Sequence, residues 1–205
     1  MTHRAAMVLA LALALQASSA RAQERLTQGR RTWYAGVGLG AGGGGLRIGD
    51  RDRSFEDVLG RSAPIAAVAI RFGSALSDEL MVGFEGSAVG AVASKPSEQV
   101  QLNRYDLGVT WLPRVDGPFL RVAAGRTVVG VKSDGPELYG SGTYGGWNAA
   151  LGGGWSQPLF GSGLHAVLHV AYEVHTVAKA GLVDVTSGRG WSATLGLDWY
   201  GRSSP

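Results

Sequence analysis

Three histidines, His165, His169 and His175, stand with Glu173 in one short stretch of a 205-residue chain. Residue types of this kind can hold a metal ion or carry out acid–base catalysis. Their spacing argues against both. The stretch alternates apolar and mixed residues as a β-strand does, and in a strand residues i and i+4 stand about 13 Å apart, too far to share one ion. Glu173 and His175 fall on one face while Thr176 points away, so no hydroxyl nucleophile is held against a base. A stack of polar interior histidines is the expectation, with no metal and no catalytic residue. The glycine run 36–45 superficially resembles a nucleotide loop, but no helix, acidic partner or Gly-Lys-Ser/Thr follows it. No cofactor is expected. Cysteine is absent, which removes thiolate chemistry and disulfides.

The elements that position these side chains are strands. Leu164, Ala166, Leu168, Val170, Tyr172 and Val174 share one face; His165, Val167, His169, Ala171 and Glu173 share the other. Trp191, Ala193, Leu195, Leu197 and Trp199 lie opposite Ser192, Thr194, Gly196, Asp198 and Tyr200. Six further segments follow period 2: 33–42, 64–73, 79–91, 99–112, 119–129 and 144–155. A sustained helical period is missing, apart from a possible short turn near 54–59. Eight strands result, each long enough for a tilted membrane crossing of about 9–11 residues. Short turns at 74–78, 113–118 and 157–163 alternate with generally longer, more polar connections at 43–63, 92–98, 132–143 and 179–189. That asymmetry predicts an all-β, transmembrane, antiparallel up-and-down barrel with short periplasmic turns and longer outer loops.

In such a barrel the apolar face meets lipid. Trp33, Phe72, Trp111, Trp155 and Trp199 fall on it near the periplasmic strand ends, as a lower aromatic girdle would. The inward face receives Arg71, Glu85, Arg104, Asp106, Arg121, Asn148, His165, His169, Glu173 and Asp198. Three arginines against four carboxylates should form a paired, hydrogen-bonded network, because unpaired charge in a narrow interior is costly. Arg71, Arg121, His165 and Asp198 are expected in a lower layer, with Glu85, Asp106 and His169 above them. Arg126 breaks the outward row Leu120, Val122, Ala124. Either it reaches lipid phosphate at the outer headgroup level, or a bulge turns it inward.

The N-terminus supports export. Residues 1–4 carry one Arg, 5–15 are almost entirely Ala, Leu, Val and Met, and 16–22 end in a small-x-small pattern. This is the layout of a secretory signal peptide, expected to be cleaved after Ala22. A short segment 23–32, a barrel domain 33–200 and a tail 201–205 would then make up the mature chain. It has 17 basic residues against 16 acidic ones once Arg4 and Arg21 are removed, and it lacks a basic run with interleaved aromatics. Nucleic acid is not an expected partner.

With its signal segment, its glycine- and aromatic-rich alternating strands and its final strand 191–200, the sequence resembles the small eight-stranded outer membrane β-barrel proteins. The resemblance implies residence in the bacterial outer membrane, contact with its lipids, and recognition of the last strand by the outer-membrane insertion machinery. Here Tyr200 is followed by five more residues, a departure from a terminal aromatic. An eight-stranded barrel is just wide enough to be filled by side chains. The expected role is therefore non-enzymatic: a monomer that is structural, surface-protective or adhesive through its outer loops. A narrow transporter for a small or apolar solute and a lipid-modifying acyl enzyme are the alternatives. A soluble calycin-like barrel would alternate too, but with its apolar face inside.

Overall fold

The computed structural model describes residues 31–59, 65–77, 79–92, 99–114, 116–133, 140–159, 163–177 and 185–202. The expected signal peptide and the final three residues lie outside them. The elements are β1 (Arg31–Ile48), β2 (Arg51–Ser54), α1 (Phe55–Leu59), β3 (Ile65–Ala75), β4 (Leu80–Val92), β5 (Gln99–Trp111), β6 (Gly117–Ser133), β7 (Gly140–Leu159), β8 (Leu164–Val177) and β9 (Val185–Arg202). Each long strand pairs antiparallel with its sequence neighbour, and β1 also pairs with β9 from Arg31↔Arg202 to Ile48↔Val185. Eight strands thus close into a barrel, with β2 folded back onto the top of β1.

Closure sets the geometry. A ladder row followed from Trp33 passes Ser74, Val82, Val109, Val122, Leu151, Tyr172 and Trp191, and returns to β1 at Gly43. The row has climbed from residue 33 to residue 43 in one circuit, a stagger that tilts the strands by roughly 35–45°.

Several strands outrun their sequence-based bounds. β1 continues through the glycine run to Ile48, so Arg31 and Thr32 belong to it and the expected loop 43–63 contains a hairpin and a helix instead. The ladder partners that β9 and β2 offer hold these glycines in strand. Likewise β7 extends at both ends, from Gly140 to Leu159, and β9 begins at Val185 and runs to Arg202. The possible turn near 54–59 is the helix α1. Ser54 and Asp57 cap it reciprocally: Asp57 Oδ2 accepts from the Ser54 N–H at 2.9 Å, and Ser54 Oγ accepts from the Asp57 N–H at 3.0 Å.

Candidate functional site: the filled lumen and its collar

Alternation aims one side of every strand inward. All ten lumen residues expected from sequence (Arg71, Glu85, Arg104, Asp106, Arg121, Asn148, His165, His169, Glu173 and Asp198) are buried. Arg104, 2% exposed, is the hub. Its Nη1 approaches Glu173 at 2.5 Å and Asp106 at 3.6 Å, its Nη2 approaches Glu85 at 3.4 Å, and its Nε donates to Ser87 Oγ at 2.8 Å. Arg71 Nη2 donates to Asp198 Oδ1 at 2.9 Å. A Cβ at Gly36 would overlap that carboxylate, so only glycine leaves room for it.

The expected layers are only partly recovered. Arg71 and Asp198 do meet, but Arg121 reaches Glu85 at 3.4 Å, as well as the hydroxyls of Thr110 and Tyr34. His165 instead pairs with Ser156, Oγ to Nδ1 at 3.0 Å, and meets the Tyr200 ring edge-on. His169 packs beside Phe119 at 5.7 Å. Asn148 shares a ladder row with Asp106, across Gly125. The partners differ from a layer model because an arginine side chain spans more than one residue rise along a tilted strand.

Two apolar layers bracket this network. Tyr34, Met81, Leu112, Phe119, Val167 and Tyr200 cluster at the short-turn end. At the loop end Leu46, Val89, Val100, Leu102, Val129, Val131 and Tyr144 cluster with Phe55, Val58 and Leu59 of α1. The helix thus plugs the mouth, with Phe55 seated against Gly44, where a Cβ would crowd its ring. Sequence reasoning expects a paired polar network in the lumen and does not place an apolar lid above it. The signal was present in β5, where Val100 and Leu102 have the same parity as Arg104 and Asp106.

The outer surface changes character at the same level. Between the rims it is apolar: Leu39, Ile70, Leu107, Val122, Leu151, Val170 and Leu195 are all exposed. Trp33, Phe72, Trp111, Trp155 and Trp199 are exposed as well. Allowing for the climb of the rows, they stand in one band about 10 Å tall at the short-turn rim. A second aromatic level, about 20 Å higher, runs through Tyr105, Trp147, Tyr172 and Trp191. Arg126 lies in it, between cross-strand partners Tyr105 and Trp147, with its guanidinium 4.7 Å from the Trp147 ring centre. The β6 ladders run without a register shift there and Arg126 is exposed, so no bulge turns it inward. Above this level the outward positions become Gln99, Gln101, Asn103, Lys132, Thr143, Arg47, Ser187 and Arg189. The amides of Gln99, Gln101 and Asn103 form a hydrogen-bonded chain.

Charges inside and an exposed apolar wall outside are the inverse of a soluble barrel, and they define a membrane-spanning β-barrel. No family model matches the sequence, and no curated protein does. The backbone is similar to that of Neisserial surface protein A (NspA), with a TM-score of 0.54 and 11% identity over 82% of this chain and 96% of that one. It is also similar to outer membrane protein AlkL, determined in lipid bilayers, with a TM-score of 0.52 and 15% identity over 87% of this chain and 93% of that one. At such identities the likeness is one of fold. The chain has the fold of the small eight-stranded bacterial outer membrane β-barrels.

Proposed function

We propose that the protein is a sealed, non-enzymatic outer membrane barrel that acts through its outer collar and loops, in a structural, surface-protective or adhesive role. One observation carries this reading: among the described residues the lumen is occupied by buried side chains at every level, an apolar floor, an ionic middle and an apolar lid with its own helix. A solute would have to break buried ion pairs to pass. The ladders are also continuous across every seam between the long strands, so no lateral opening competes among the described residues.

In this reading the Trp33, Phe72, Trp111, Trp155 and Trp199 level sits at the periplasmic interface and the Tyr105–Trp147 level at the outer one. Arg126 then meets lipid phosphate, steadied by Trp147. The barrel is a monomer in outer membrane lipid, and β9 is the strand that the insertion machinery reads. Planar-bilayer recording of the purified barrel tests the proposal. No stable conductance steps are expected; long-lived open steps would overturn it in favour of a channel.

A further inference from the structure

The collar carries a feature that a passive seal does not need. On its outward side, where β2, β1, β9 and β8 run side by side, lies a cleft of about 880 Å³. Ladder register fixes its lining. Arg47 stands between Asp52 of β2 and Ser187 of β9; two residues lower, on the same face, Gly45 stands between Ser54 and Arg189. Gly45 contributes no side chain, so the floor is backbone that a ligand can approach closely. Both Arg47 and Arg189 are exposed. The cleft contains three arginines, Arg47, Arg53 and Arg189, against two aspartates, Asp52 and Asp57, a surplus of one positive charge. Guanidinium pairs flanked by hydroxyls suit a multi-oxygen anion.

The side nearest the membrane identifies what the anion is attached to. Beside Arg189 is its cross-strand partner Val174, and below them on the same face stand Trp191 and its partner Tyr172, exposed members of the upper aromatic level and of the lipid-facing wall. A ligand with its anionic group on Arg47 and Arg189 therefore has its remaining bulk against an apolar surface. His175 borders the same cleft from the lumen side, with its ring packed against Gly188. It is 3% exposed, and neither ring nitrogen has a hydrogen-bond partner.

We propose that this cleft binds the phosphorylated sugar headgroup of an outer-leaflet lipid, with Arg47 and Arg189 on the phosphate and the acyl chains along Tyr172, Val174 and Trp191. The proposal rests on the reading above, that this wall is embedded with its loop end outermost.

The test uses the mature barrel inserted into phosphatidylcholine nanodiscs containing a minor fraction of an acylated glucosamine disaccharide, either bis-phosphorylated or dephosphorylated. Retained lipid is counted by native mass spectrometry. The phosphorylated form should be retained preferentially, and Arg47→Gln/Arg189→Gln should weaken retention by about tenfold or more. Lys132→Gln, on a different part of the collar, should leave it unchanged. Equal retention of both lipid forms by the unmutated barrel would overturn the site even if the double variant failed to fold. Displacement of the lipid by inorganic phosphate, binding as tightly alone, would make this a free-anion site and overturn the lipid assignment. Failure of the barrel to insert at all would instead break the embedding on which the proposal stands.

Discussion

The membrane band and the collar are built from the same strands and obey opposite rules. In β5, Tyr105, Leu107, Val109 and Trp111 face out while Arg104 and Asp106 face in; a few residues toward the loops, Gln99, Gln101 and Asn103 face out while Val100 and Leu102 face in. The backbone does not register the change, because pairing is continuous through both regions. What changes is the solvent. Against hydrocarbon an apolar side chain costs nothing outside, and the interior is left for groups that can satisfy one another. Against water the hydrophobic effect returns, and the same wall closes over an apolar core. The level of Arg126 and Trp147 is where one solvent gives way to the other.

The two regions should therefore fail differently. Arg104→Ala attacks the charged middle and leaves Glu85, Asp106 and Glu173 without their shared cation. A loss of about 3–5 kcal/mol is expected, read by urea titration of the barrel in vesicles. A loss under about 1 kcal/mol, the size typical of an exposed pair, would mean that water screens the network and that the middle is not dry. Phe55→Ala attacks the collar. It removes a fully buried ring from the lid and should cost about 3 kcal/mol locally. Hydrogen exchange should quicken in α1, β2 and the loop ends of β5 and β6, with the middle of the wall unaltered. Uniform quickening would show that band and collar unfold as one unit and erase the distinction.

The smallest effect concerns the helix cap. The Ser54 backbone N–H and hydroxyl hold the Asp57 carboxyl below its ordinary value of 3.8. A carboxyl lowered in the folded state stabilises fully above its ordinary range and loses that contribution as pH falls through the lowered value. Opening of α1, read from its amide exchange relative to the intrinsic rate at each pH, should thus be flat down to about pH 4 and rise only in more acidic solution. In Asp57→Asn that acid-dependent rise should disappear. An unchanged acid profile in the variant would show that another group governs the lid.

How far this was readable in the sequence follows from the same physics. β8 and β9 are legible because Leu164–Val174 and Trp191–Tyr200 keep an apolar face opposite a mixed one without a break in the period of two. The upper parts of β1 and β7 are not, since glycines such as Gly42–Gly45 and Gly145–Gly146 carry no side chain to reveal a face. Only the ladder partners decide that these residues are strand. Which residues face the lumen followed from parity alone, but which arginine meets which carboxylate depends on tilt and stagger. Those are properties of the closed barrel rather than of any one strand. The lid is hard to read for a different reason: polar inside and apolar outside holds only across the membrane band, and β5 reverses it from Asn103 toward the loops.

The seam between β1 and β9 bears on how such a molecule can come into being. It joins the first described residue of the chain to the last, Arg31 to Arg202, so the longest loop closure in the molecule coincides with its final ladder. Until β9 has been delivered, every assembly intermediate carries two raw edges able to pair with any other strand they meet, and the partner that would silence them is the farthest away along the polypeptide. Slow, all-or-nothing completion follows. The nascent chain has to be kept from its own kind throughout its passage to the membrane, and once the seam shuts, release of either terminal strand requires breaking a whole row of bonds at once.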